Sequence, residues 1–189
     1  MATGKSIGVL ALQGGFAAHA QALQELGFIV KELRTALDLG SPDLKGLVLP
    51  GGESTTQLRL LQRHGLEQPL DSFVRSGRPV LCTCAGLILA AREVRSPAQR
   101  SFGWLDVAVA RNAWGRQIDS FVAQDDSGTL PLVFIRAPRI LSVGLQAKVL
   151  ATLRGEAVLL RQGNVYGATF HPELSADRSI HQEVFARAA

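Results

Sequence analysis

Along the first half of the chain, short apolar runs alternate with longer segments whose apolar residues recur at helical spacing. Residues 6–12 read as a buried strand, 15–26 as an amphipathic helix stopped by Gly27, and 28–33 as a second strand. A βαβ unit therefore opens the protein. A polar connection around Ser41-Pro42-Asp43 leads to a third strand at 46–49, and Pro50-Gly51-Gly52-Glu53-Ser54 turns into a helix running to about His64. A further helix is predicted over 67–76, then a strand over 79–82, then a helix over 87–94 composed of strong helix formers. Parallel strands need crossover connections. This alternation therefore predicts an α/β fold with a mostly parallel central sheet flanked by helices, its site at the strands' carboxyl ends.

From Phe102 onward the pattern changes to short strands at 104–110, 120–122, 133–135, 140–143, 148–153, 157–160 and 165–170, punctuated by Gly128, Pro131, Pro138, Gly155 and Gly163. β-Hairpins are thus added to the C-terminal half without a linker. Residues 177–188, with Ile180, Val184 and Phe185 on one side, read as a closing helix. At 189 residues and 47% hydrophobic composition, a single domain over 1–189 with a sizeable core is expected.

Charge changes this picture little. The formal net charge is +4, but the sixteen Arg and four Lys are scattered, without a run and almost without interleaved aromatics. That is not the footprint of a nucleic-acid binder; a solvated Arg-rich surface or an acidic protein partner accounts for it equally well. The apolar run at 7–12 is too short for a secretory signal, and nowhere do about 18 apolar residues follow one another, so neither export nor a membrane is expected. The only cysteines, Cys82 and Cys84, cannot build a disulfide framework, which agrees with a reducing, cytoplasmic compartment. They also lack a second cysteine pair or a histidine cluster at ligand spacing, so no metal site is expected.

The candidate chemistry centres on Cys84, placed where the strand at 79–82 gives way to a helix. The small Ala85 and Gly86 suit a strand-turn-helix elbow that lifts one reactive atom into a cleft, where the first helix amides stabilise a thiolate or an oxyanion. A buried structural cysteine is the competing reading. Activation requires a base, and 165–173 reads as a strand ending in His171 and Glu173, whose i, i+2 spacing on extended chain turns both to one side. Glu173 would hold the imidazole in the tautomer whose other nitrogen faces Cys84. The double glycine at 51–52 lets backbone approach a ligand and point an amide at developing charge; the bland alternative is a tight turn with Ser54 as helix N-cap. His19, His64 and His181 lack such context and read as structural or surface residues.

Together, Thr83-Cys84-Ala85-Gly86-Leu87-Ile88, Pro50-Gly51-Gly52-Glu53-Ser54-Thr55 and His171-Pro172-Glu173 resemble the class I, triad-type glutamine amidotransferases, which are flavodoxin-like. More narrowly, residues 8–14, 111–121 and 134–138 are similar to the glutaminase subunits of pyridoxal 5′-phosphate synthases. The resemblance runs from about Ile7 to the last helix. It implies hydrolysis of L-glutamine to glutamate and ammonia through a cysteinyl thioester, without a cofactor. The ammonia would pass to a synthase subunit in a large hetero-oligomer. Cys84, His171 and Glu173 would be the triad, the amides of Gly52 and Ala85 the oxyanion hole, and Gly52, Glu53, Ser54, Arg111, Ile135 and Arg136 the glutamine site.

A guanidinium is needed for the substrate carboxylate, and Arg111 and Arg136 are both open candidates. The resemblance also implies that the isolated subunit turns over poorly until the synthase docks and a peptide flip at Gly51-Gly52 completes the oxyanion hole. Two departures stand out. Cys82 replaces a usual Gly, and residues 15–19, which face the synthase in the family, differ from the usual residues. The glutaminase of another amidotransferase, such as imidazole glycerol phosphate synthase, and a non-catalytic, redox-sensing α/β protein are the competing functions.

Overall fold

The computed structural model describes residues 6–111 and 120–186. In chain order its elements are β1 (Ser6–Leu10), α1 (Phe16–Glu25), β2 (Ile29–Leu33), α2 (Ala36–Leu39), β3 (Leu44–Leu49), α3 (Ser54–Arg63), α4 (Glu67–Arg75), β4 (Val80–Thr83) and α5 (Ala85–Ala90). There follow β5 (Ala91–Arg95), β6 (Leu105–Ala110), β7 (Ser120–Gln124), β8 (Pro131–Ile135), β9 (Arg139–Val143), β10 (Lys148–Leu153), β11 (Glu156–Gln162), β12 (Val165–Ala168), a 3₁₀ turn (Pro172–Leu174) and α6 (Ser179–Phe185).

The central sheet has the order β10-β11-β12-β4-β3-β1-β2. Its strands from β2 to β12 run parallel, while β10 and β11 extend the edge antiparallel. The apolar runs of β1, β3 and β4 are continuous because both sheet faces are covered. Side chains on these strands divide between two cores. Leu10, Leu47, Leu49 and Cys82 pack with α3, α4 and α5 on one face. Ile7, Val9, Val48 and Leu81 pack with Leu23 of α1 and Ile180, Val184 and Phe185 of α6 on the other. Strands β5, β6 and β9 form a separate small sheet, and β7 and β8 a hairpin.

Four expectations are corrected here. The helix forecast over 87–94 ends at Ala90, because Ala91 is extended (φ −62°, ψ 151°) and residues 91–95 pair in parallel with β6. Sheet pairing outweighs the helix propensity of those residues. The connection before β3 contains α2, whose Thr35 and Asp38 form a capping box. Strand β12 stops at Ala168 rather than Phe170: Thr169 N–H still donates to Val158 O of β11 (2.9 Å), but His171 N–H turns away to Val133 O of β8 (2.8 Å). Pro131, expected between strands, is the first residue of β8, where no ladder donor is missed.

Candidate active site

The carboxyl ends of β1, β3, β4 and β12 open on one side of the sheet, and the site is built there. Cys84 lies between β4 and α5 with φ 47° and ψ −102°, a left-handed conformation that costs a non-glycine residue roughly 1–3 kcal/mol. The turn is locked from both sides. Cys84 N–H donates to Ala168 O (2.9 Å), and α5 starts so close to β3 that Gly86 lies against the Leu49 carbonyl. Cys84 is 6% exposed, and its Sγ reaches toward Ile135 O at 3.9 Å.

His171 and Glu173 do meet, though not as neighbours on a strand. His171 (φ −108°, ψ 86°) introduces the 3₁₀ turn, and Pro172 bends the chain so that Glu173 Oε1 comes 2.7 Å from His171 Nδ1. Burial opposes a positive charge on His171, but hydrogen bonds to Cys84 and Glu173 more than reverse this and raise its pKa to about 10. An imidazolium beside a sulfur, with a carboxylate behind it, is the polarity that an attacking cysteine needs. Glu173 is buried too. Burial alone would raise its carboxyl, yet the His19 ring and the His171 hydrogen bond hold it below the usual range.

The double glycine lies directly over this pair. A Cβ on Gly51 would come 2.4 Å from His171 Cε1 and 3.3 Å from Cys84 Cβ. Gly52 has φ +155°, and the Gly51 carbonyl accepts from Gly15 N–H (3.0 Å). Gln13 supports the turn, its Oε1 accepting from Glu53 N–H (2.9 Å) and its carbonyl from Gln57 Nε2 (3.1 Å). Ser54 is the first residue of α3, not its cap. Glu53 occupies the cap position, and Ser54 Oγ donates to Gln99 Oε1 (2.9 Å).

A cleft of about 250 Å³ brings together Gly52, Glu53, Ser54, Cys84, Arg111, Ile135, Arg136, His171 and Glu173. Of the residues expected from the sequence only Ala85 does not line it; its side chain is buried, and as the first residue of α5 its N–H has no acceptor within the helix. Across the cleft mouth, Arg136 Nη2 donates to Glu53 Oε1 at 2.8 Å, both side chains being about half exposed. Residues 112–119 of the 111–121 motif lie outside the described residues. Cys82 faces the core instead, where burial pushes its thiol far above the usual range. His64 is exposed.

Sequence reasoning missed His19 and His181. Both are fully buried. His19 Nε2 lies 3.2 Å from Glu173 Oε2 and 3.1 Å from Thr83 Oγ1, and His19 Nδ1 is 2.9 Å from His181 Nε2. A signal was available, since His19 is in helical phase with Ala22 and Leu23, and His181 with Val184 and Phe185, all buried. A polar residue on a buried helix face needs a partner.

Burial keeps both rings neutral: it lowers His19 more than Glu173 raises it, and it lowers His181 to about 3. The unfolded chain takes up protons near pH 6.5 that the folded chain refuses, so stability is lost as pH falls from about 6.5 toward 3. In His181→Gln, calorimetric melting should therefore drop less between pH 7 and pH 4 than in the unsubstituted protein. Parallel losses in the two proteins would contradict this assignment.

A strained cysteine elbow on a parallel sheet, with an imidazole and a carboxylate at the next strand end, defines a class: α/β proteins that open amides through a thioester. The chain belongs to the SNO glutamine amidotransferase family, whose sequence profile matches residues 9–189. It is 49% identical over 93% of its length to the pyridoxal 5′-phosphate synthase subunit PdxT of Desulfitobacterium hafniense, covering 89% of that relative. To the PdxT subunit of Deinococcus radiodurans it is 48% identical, over 94% of each chain. A crystal structure described as a glutamine amidotransferase superposes with a TM-score of 0.88 at 42% identity, covering 96% of this chain and 98% of the other.

Proposed function

We propose that this chain is the glutaminase of a pyridoxal 5′-phosphate synthase, hydrolysing L-glutamine and passing ammonia to a synthase subunit within a cytoplasmic hetero-oligomer. The observation carrying this reading is His171, its Nδ1 2.7 Å from Glu173 Oε1 and its ring lining one cleft with Cys84, a cleft whose mouth holds the Glu53–Arg136 pair. The chain acts as one domain, and the reacting groups are its own side chains and backbone amides.

Cys84 Sγ, its proton on His171, attacks the side-chain amide carbon, and the N–H groups of Gly52 and Ala85 receive the oxyanion. His171 then protonates the departing ammonia. Water, deprotonated by the same ring, opens the γ-glutamyl thioester, returns the proton to the sulfur and releases glutamate. Glu173 keeps the ring turned throughout. The Gly51–Gly15 hydrogen bond fixes the 51–52 peptide, so docking that moves residues 15–19 frees that peptide to turn. Mixing with the synthase subunit of a PdxT relative should raise ammonia release from glutamine severalfold. Turnover that ignores the synthase would refute the coupling, and no turnover in either state would refute the glutaminase.

Glutamine carries a carboxylate and an ammonium at one end, and Arg136 and Glu53 are a complementary pair for them. Ser54, Ile135 and Arg111 wall the amide-bearing stem. Arg136→Ala should raise KM for glutamine by about 10-fold or more, with kcat changed less than about threefold, because a contact to the non-reacting end serves ground and transition state alike. A kcat loss at constant KM would assign Arg136 to the reacting end instead.

A further inference from the structure

Glu173 has two oxygens, and the triad uses one. Oε1 accepts from His171 Nδ1. Oε2 is buried, without a hydrogen-bond partner of its own, yet 3.2 Å from His19 Nε2. A carboxylate facing a bare ring lone pair at that distance would be repelled, so Nε2 is the protonated nitrogen of His19, its N–H lying between Glu173 Oε2 and Thr83 Oγ1 at 3.1 Å. Neutral His19 then has an unprotonated Nδ1, which accepts from His181 Nε2–H at 2.9 Å. His181 in that tautomer has no proton on Nδ1, which agrees with the burial of this atom without a partner. The remaining charged neighbours of the pair, Arg178 and Asp177, act on His181 from the start of α6 and oppose one another.

We propose that His19 is a positioning residue for glutamine hydrolysis: from α1 it holds the outer oxygen of Glu173, while His181, from α6, holds His19. Three rings thereby direct N–H groups toward one carboxylate, or toward the ring that serves it. A carboxylate gripped at one oxygen rotates about its terminal bond. Gripped at both, it presents Oε1 to His171 in a single orientation, and His171 in turn faces the sulfur. Thr83, at the other contact of His19 Nε2, immediately precedes Cys84, so the same imidazole also braces the elbow. The inference rests on the reading of Cys84, His171 and Glu173 as the hydrolytic triad.

The test compares His19→Gln, whose amide keeps a donor near Glu173, with His19→Leu, which fills the volume without one. Both are assayed for ammonia release with the synthase subunit present, on protein whose circular dichroism matches the unsubstituted chain. The expected result is a kcat lower by roughly 10- to 100-fold in His19→Leu, with KM for glutamine within about twofold, and recovery of at least about a third of the original kcat in His19→Gln. Should His19→Leu not fold, His19→Gln decides against His19→Ala on the same two constants. A folded variant without the donor that keeps full kcat, or a glutamine variant that falls as far as the apolar one, overturns the proposal. A complex whose unsubstituted chain releases no ammonia would strike the triad reading itself, a different failure.

Discussion

Replacing Cys84 by Ala should lower ammonia release from glutamine by at least about 10³-fold in the presence of the synthase subunit, because no other side chain of the cleft can form the thioester. The fold should survive. Alanine keeps the small volume required at the elbow, and removing one sulfur beside His171 opens no large cavity, so the melting temperature should stay within a few degrees. Retention of most of the turnover would instead leave the cysteine to a redox or binding role, with His171 and Glu173 unexplained.

The second large effect falls on stability. A Cβ on Gly86 would sit 2.2 Å from the Leu49 carbonyl oxygen and 3.0 Å from its carbon. Strand β3 cannot retreat, because it is bonded to β1 on one side and β4 on the other. Gly86→Ala should therefore destabilise the protein by about 3 kcal/mol, at the upper end of what overpacking costs. Thermal unfolding should shift down by about 6–12 °C for a chain of this size. Melting coincident with the unsubstituted protein would mean that α5 can slide off β3, and that the elbow is not held by this contact.

Much of the architecture was legible because the central parallel strands are largely apolar and their helices are amphipathic, as β1, α1 and β4 illustrate. Local propensity misled where a longer-range partner intervened. Residues 91–95 are good helix formers, yet β6 offers them a ladder. Helix α2 escaped notice because four residues carry no apolar period and are held by the side chains of Thr35 and Asp38. Within the site, Cys84, His171 and Glu173 were readable from short motifs, whereas the network behind them was not. His19 and His181 are 162 positions apart and each belongs to a different helix, so their proximity is a product of the sheet that α1 and α6 share. The route by which His171 and Glu173 meet was also unreadable, since it depends on Val133 of β8 drawing the backbone away from β12.

Strand β12 inserts beside β4, although most of the second half of the chain is made between them. Until that late strand is in place, Cys84 has neither the Ala168 carbonyl that anchors its amide nor His171 and Glu173 beside it in the cleft. On the proposed mechanism, a growing polypeptide that still lacks β12 therefore has no working triad, however well its first half has folded.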